Sequence, residues 1–497
     1  MKKEVSDKLC EVKKYISNIE NIGHAMALLY WDMSVYMPKE GIETRSNTTT
    51  YLAGEEFKLT TSDKVKEFID YFNPIMDELE VQDRAMIKAL KKNYEAISKI
   101  PEEEYKEFNK LSALSFNAWQ EAKTKNDFKI FEPYLEKMVS YKIKIADYYG
   151  YKENRYDALL NEYEDGLTVK KLDQIFGALK EGIVNILNYI NNSKVEINTS
   201  FLEGKFDISK QKEISEYLLD VIGFDKTKGR LDESEHPFTN GMGNKDVRIT
   251  THYFENDLFS NIFSVIHEGG HALYEMHISD SLENTGLVDG ASMAVHESQS
   301  RFYENIIGRS KSFLKIILPK LQETFSELKN VTLDELYKAV NKVQPSLIRT
   351  EADELTYSLH VIIRYEIEKQ LINREIEVKD LPQIWNNKYK EYLGIEPKCD
   401  AEGVLQDMHW SDGSFGYFPS YALGNIYGGQ FLHTLLKENK NAIEDLSMDY
   451  INDWLSKNIH QYGAMYTPGE LIKKVTGEEL NTKYFLDYLE RKYKEIY

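Results

Sequence analysis

The sequence predicts a mainly α-helical protein with one small antiparallel β-sheet. Three observations predict it. Apolar residues recur every three to four positions through most of residues 1–225, which is the period of one helix face. Only 11 prolines occur in 497 residues, so long uninterrupted helices are allowed. One stretch, Asp246 to Phe254, instead alternates valine, isoleucine, threonine and tyrosine with polar residues, the pattern of a strand.

The helices follow in order. Leu9, Val12, Ile16, Ile19 and Gly23 keep helical spacing between charged residues, and Asp77 to Lys99 behaves alike. Pro101 with Glu102, Glu103 and Glu104 reads as the start of the next helix. Thr168 to Ile190 carries Leu172, Ile175, Leu179, Ile183 and Leu187 on one face. The texture changes near Gly229: His236-Pro237-Phe238 and Asn240 to Asn244 are turn chemistry leading into the strand. Past Gly429 the chain is helical again, with Thr467-Pro468-Gly469-Glu470 as a capping box. The division expected is a helical lobe over 1–225, a catalytic region with metal site and sheet over 226–430, and C-terminal helices over 431–497.

Composition narrows the classes. At 497 residues the chain exceeds one usual core, so two or three packed lobes are expected. A net charge of −20 argues against nucleic acid and against an anionic membrane surface. Cys10 and Cys399 are the only cysteines, which excludes a disulfide framework and thiolate metal ligation. Charges from Glu4 to Glu11 break up any export signal, and the apolar run Ile22 to Trp31 is too short to span a bilayer. A reducing, cytoplasmic location is the expectation.

The chemistry centres on His267-Glu268-Gly269-Gly270-His271. Residues four apart share a helix face, so both imidazoles can meet one metal ion, with Glu268 able to reach a water on it. Asn256 or Asp257 can cap this helix. Two glycines inside it cost on the order of 1 kcal/mol each, which implies that another backbone approaches closely. Zinc held by two imidazoles still needs a third protein ligand. A second helix, capped by Ser292, offers Glu297, with His296 as its rival.

Further on, Ile348 to Glu354 opens a helix whose buried side carries Leu355, Leu359, Ile362 and Ile363. Glu351, Asp353, Glu354 and His360 read as a charged helix face rather than a second metal site. Gly403 to Gly424 interleaves glycines with His409, Tyr417 and Tyr421, which predicts a mobile loop bearing polar aromatic groups.

Taken together these blocks resemble the carboxypeptidase Taq family of zinc metallocarboxypeptidases. They are HPF at 236–238, D-x-R-x-T at 246–250, HEGGH at 267–271, HESQ at 296–299, I-R-x-x-A-D at 348–353 and G-x-x-Q-D-x-H-W at 403–410. Tyr30-Trp31-Asp32-Met33 with Met37-Pro38 extends the resemblance towards the N-terminus. The resemblance implies a helical two-lobed fold around a deep groove, with a small sheet next to the HEGGH helix, acting as a single peptidase unit and as a homodimer. It implies release of single residues from peptide C-termini with broad specificity, using one zinc per chain, or cobalt in some members. Carried over by position, His267, His271 and Glu297 are the ligands and Glu268 the catalytic carboxylate.

On this reading zinc-bound water attacks the scissile carbonyl while Glu268 takes its proton and passes it to the leaving amine. A free terminal carboxylate needs a cation beyond the metal, and Arg349 is favoured over Arg248. Tyr417, Tyr421 and His409 are candidates to stabilise the oxyanion. The strand around Arg248 is a candidate to pair with the substrate backbone. The rivals are an endo-acting zinc oligopeptidase, which would ignore the terminus, and a non-catalytic helical scaffold that binds zinc.

Overall fold

Helix predominates from end to end in the computed structural model, which describes residues 3–497. The helices stand where apolar periodicity placed them. Lys3–Val35 buries Leu9, Val12 and Ile16, and Val169–Asn191 buries Leu172, Leu179, Ile183 and Leu187. Of the two caps offered for the HEGGH helix, Asp257 is the one formed, accepting from Ser260, and Ser292 accepts from Val295 as expected. Thr168 adds a further cap, accepting from the Lys171 amide. Thr467 and Glu470 close a reciprocal capping box with Pro468 in the first turn. Each satisfies an amide that the first helical turn leaves without a partner.

Buried side chains form two clusters. The larger runs from Trp119 to Ile496 and includes both helices that bear the metal-ligand candidates. The smaller gathers Leu9 to Leu90 from the first helices together with Ile278, Leu282 and Leu287.

The sheet differs from the antiparallel one expected, because it is mixed. Its strands are β1 (Gly229–Glu233), β2 (Thr239–Gly241) and β3 (Val247–Thr251), in the order β1-β3-β2. β1 pairs parallel to β3, and β2 antiparallel to it. Only β3 has the buried, β-branched character of a central strand; the two edge strands are short and half-exposed. β3 has a partner on each side, so no free edge remains there for a substrate backbone, contrary to expectation.

Two other expectations are corrected. Arg349–Glu351 is a 3-10 turn, and the helix proper is Glu354–Ile372, capped by Asp353. It is buried on nearly all sides rather than presenting a charged face: Glu354 pairs with buried Lys492 at 2.6 Å and His360 lies 2.9 Å from Tyr389 Oη. The stretch expected to be a mobile loop is half helix. Phe418–Glu438 takes in Tyr421 and Gly424, with Pro419 in its first turn.

The HEGGH helix, Leu258–Met276, packs on β3 and on the Glu297 helix, Met293–Arg301. The paired glycines have the expected reason at Gly270. A Cβ there would lie 2.8 Å from Gln299 O and 2.9 Å from Ser300 Cα, so the two helices meet backbone to backbone. Gly270→Ala is expected to lower the unfolding free energy by about 1–3 kcal/mol, because overpacking against backbone outweighs the better helix propensity of alanine. Urea unfolding measures it, and a neutral or stabilised variant would contradict this packing.

Candidate active site

His267 and His271 project from one face of the HEGGH helix, their ring centroids 4.9 Å apart. Glu297 faces them from the neighbouring helix, and the three ligand atoms lie within 4.8 Å of one another. Glu297 Oε2 is 3.7 Å from His267 Nε2 and 3.5 Å from His271 Nε2. The other nitrogen of each ring is engaged. His267 Nδ1 is 2.8 Å from Glu304 Oε2, and His271 Nδ1 is 2.6 Å from His296 Nδ1. Both Nε2 atoms are thereby left to face Glu297. Two imidazoles and a carboxylate converging on one point fit a borderline-soft divalent ion better than calcium or magnesium, which prefer oxygen alone. His296, the rival ligand, stands behind His271 and turns its Nε2 to Glu275, 3.2 Å away.

Electrostatics keep the carboxylate of Glu297 ionised. Burial works against Glu297, yet Arg301 and His267 hold it far below the usual carboxylate range. Arg301 Nε donates to Glu297 Oε1 at 2.8 Å, its Nη1 donates to Glu304 Oε2 at 3.1 Å, and its guanidinium lies over the Tyr357 ring. Burial likewise opposes Glu304, which Arg301 and His267 bring down to about 2. Glu268 differs from both. Burial raises its carboxyl above the ordinary value, and the Thr239 hydroxyl donates to its Oε2 at 2.6 Å.

These groups open onto a cavity of about 760 Å³, lined among others by His267, Glu268, Glu297, Arg301, Arg349 and Tyr421. Arg349 is 6% exposed and its guanidinium is held by two partners. Its Nε and Nη2 donate to Asp407 Oδ1 at 3.0 and 2.9 Å, and its Nη1 donates to Tyr357 Oη at 3.1 Å. Arg364 takes the other oxygen of Asp407. Burial alone would raise the Asp407 carboxyl, but Arg364 and Arg349 hold it well below its usual range. His409 and Tyr417 stand behind Tyr421. His409 Nε2 is 3.2 Å from Tyr421 Oη, and the Tyr417 ring meets Tyr421 edge-on at 5.0 Å. Arg248 is engaged elsewhere, with both arms on Asp246 and its guanidinium 5.7 Å from the Trp31 ring.

The model of the carboxypeptidase Taq (M32) metallopeptidases matches residues 11–493. The chain belongs to that family. It is thus a metallocarboxypeptidase, and the carboxypeptidase Taq match covers nearly its whole length. The chain is 46% identical to carboxypeptidase 1 of Bacillus subtilis over 98% of each chain. It is 38% identical to thermostable carboxypeptidase 1 of Pyrococcus furiosus over 95% of each. The M32 carboxypeptidase structure from Deinococcus radiodurans superposes with a TM-score of 0.95 at 34% identity, covering 99% of each chain.

Several groups at the site of this carboxypeptidase Taq chain escaped the sequence reading. Arg301 and Glu304 lie four and seven residues after Glu297, so helical spacing alone places them on its face. The helix also widens into a π-helix at Phe302–Gly308, which carries Glu304 and which no spacing rule announces. Thr239 sits on a three-residue strand with no pattern of its own. Glu368 is a third case. It accepts from Tyr156 Oη at 2.5 Å, Trp410 Nε1 at 2.8 Å and the Gly416 amide at 2.9 Å, pinning both ends of the segment between His409 and Tyr417.

Burial pushes the Glu368 carboxyl up to about 7 in spite of those donors. A folded pKa above the ordinary 4.5 means that the native state binds the extra proton, so the contribution of Glu368 to wild-type stability falls as pH rises from 4.5 through about 7. Glu368→Gln stays neutral throughout. It is expected to gain on wild type across that window, read by urea unfolding at about pH 5 and about pH 8. A pH-independent difference would refute the assignment.

Proposed function

We propose that this metallocarboxypeptidase removes single residues, with broad specificity, from the free C-termini of peptides. In this reading His267, His271 and Glu297 hold one zinc ion, or cobalt in its place, and Glu268 is the catalytic acid and base. The observation that carries it is a buried, pre-held arginine, Arg349, in the same cavity as the His-His-Glu cluster. Zinc at such a site supplies a Lewis acid for the scissile carbonyl and makes water a better nucleophile near neutral pH.

The chain's own residues then divide the work. Glu268, held at Oε2 by Thr239 and made more basic by burial, takes the proton of the attacking water and returns it to the departing amine. Arg349 offers its fork to the terminal carboxylate, oriented beforehand by Asp407 and Tyr357. In this reading the Tyr421 hydroxyl donates to the developing oxyanion, a role supported by its place in the cavity and its contacts with His409 and Tyr417. Arg248, bound to Asp246, is the weaker candidate for the carboxylate.

The test compares one defined peptide with its C-terminal amide. Sequential loss of single residues from the free acid, with the amide spared and a chelator abolishing turnover, is expected. Equal cleavage of acid and amide would favour an endo-acting oligopeptidase instead.

The continuous core from Trp119 to Ile496 supports one peptidase unit rather than separable domains. Two unpaired cysteines, and the lack among the described residues of any helix long and apolar enough to cross a membrane, support a reducing cytoplasmic setting. Assembly as a homodimer rests on the family resemblance, and sedimentation of the purified protein tests it.

A further inference from the structure

We infer that Glu275, through His296, sets which nitrogen of His271 is free for the metal. The inference rests on the ligand assignment proposed above and goes beyond it, because neither Glu275 nor His296 is a ligand there. His271 Nδ1 and His296 Nδ1 are 2.6 Å apart, so one proton lies between two ring nitrogens. A ligating His271 needs its lone pair on Nε2, which puts its proton on Nδ1. His271 Nδ1–H is then the donor and His296 Nδ1 the acceptor. His296 must in turn carry its own proton on Nε2, and among the described residues the only group within hydrogen-bond distance of that nitrogen is the carboxylate of Glu275, Oε1 at 3.2 Å.

With His296 neutral, a carboxylate accepting at its Nε2 leaves Nδ1 bare and so gives this direction along the whole row. With the row reversed, His296 would donate to His271 Nδ1 and leave a proton on Nε2, the atom that faces Glu297. The row is well shielded, with side-chain exposures of 14% for His296 and 20% for Glu275. The fold also clears space for it. A Cβ at Gly241, on β2, would collide with the Glu275 carboxylate, so the strand backbone closes directly over it. Glu275 lies four residues beyond His271 on the same helix, and the helix therefore supplies both the ligand and the group that orients it. His296 and Glu275 are positioning residues in this arrangement.

Affinity for Zn²⁺, measured by competition with a chromophoric chelator, tests the row without reference to turnover. Glu275→Met removes the acceptor and is expected to weaken binding about ten- to a hundredfold, with the melting temperature of the metal-free protein unchanged. Glu275→Gln, whose amide oxygen still accepts, is expected to retain most of the affinity. His296→Phe should weaken binding as Glu275→Met does, and the double variant should be no weaker than His296→Phe alone, because both act along one path. Wild-type affinity in Glu275→Met, or losses that simply add, would overturn the inference.

A measurement on the zinc-loaded wild-type enzyme needs no variant. Its imidazole nitrogen NMR should show His296 protonated at Nε2 and bare at Nδ1, and the opposite tautomer would overturn the row. Failure of the ligand assignment itself shows separately, as a wild-type chain that binds no Zn²⁺ or a His267→Ala variant that binds it as tightly. Either result would remove the basis of the row as well.

Discussion

Glu268→Gln is expected to lower kcat by about two to four orders of magnitude while the metal content stays that of wild type. Glutamine keeps the length and the oxygen that accepts from Thr239, so the side chain has no reason to move. It cannot take a proton. The three candidate ligands are His267, His271 and Glu297, none of which is altered. If Glu268 works in the transition state alone, kcat and kcat/KM fall together and KM is little changed. Steady-state kinetics with parallel metal analysis decides it. A variant within tenfold of wild type would remove Glu268 from the chemistry, and a variant that loses its metal would make Glu268 part of the binding site instead.

Arg349→Met is the second large effect. Against a peptide with a free terminus, kcat/KM is expected to fall by roughly 30-fold to several-thousand-fold, the equivalent of about 2–5 kcal/mol for removing one partner of a buried charge pair. Against the C-terminal amide the same substitution should cost little. Asp407 keeps Arg364 as its partner, so the interior is not left with a bare carboxylate. Arg349→Lys should recover only part of the loss, because an ammonium cannot serve Asp407, Tyr357 and a substrate carboxylate with a planar fork. Equal losses on acid and amide would mean that Arg349 supports the fold around Asp407 rather than reading the terminus. Arg248 would then be the next residue to test.

What was legible in the sequence had a local cause. Caps at Asp257, Ser292 and Thr467 depend on three or four consecutive residues, and each formed. The two histidines depend on one helical turn. Glu297 was singled out because zinc chemistry demands a third donor and a capped helix offered one, and it does lie beside the two histidines. Groups defined by distant partners were not legible. Glu368 is named by Tyr156, Trp410 and Gly416, from three different parts of the chain. Asp407 matters because it joins Arg349 to Arg364, and neither arginine is near it in sequence. The direction of β1 against β3 was hidden for a similar reason, since a short polar edge strand carries no sign of its partner. Tyr421 was named from composition, but its helical setting was masked by the glycines around it.

The smaller of the two cores has a mechanical meaning. Ile278, Leu282 and Leu287, which complete it, belong to the tether that leaves the HEGGH helix and returns as the Glu297 helix. The first ninety residues thus pack on the covalent link between the two helices that carry the candidate ligands. A tilt of that N-terminal segment is also a pull on the tether, felt at the end of one helix and the start of the next. At the near ends of those helices the only slack is a loop already committed to another core, while farther along the backbones of Gly270 and Ser300 are pressed together. The helices that carry the candidate metal donors and the N-terminal helices thus share packing through this one tether.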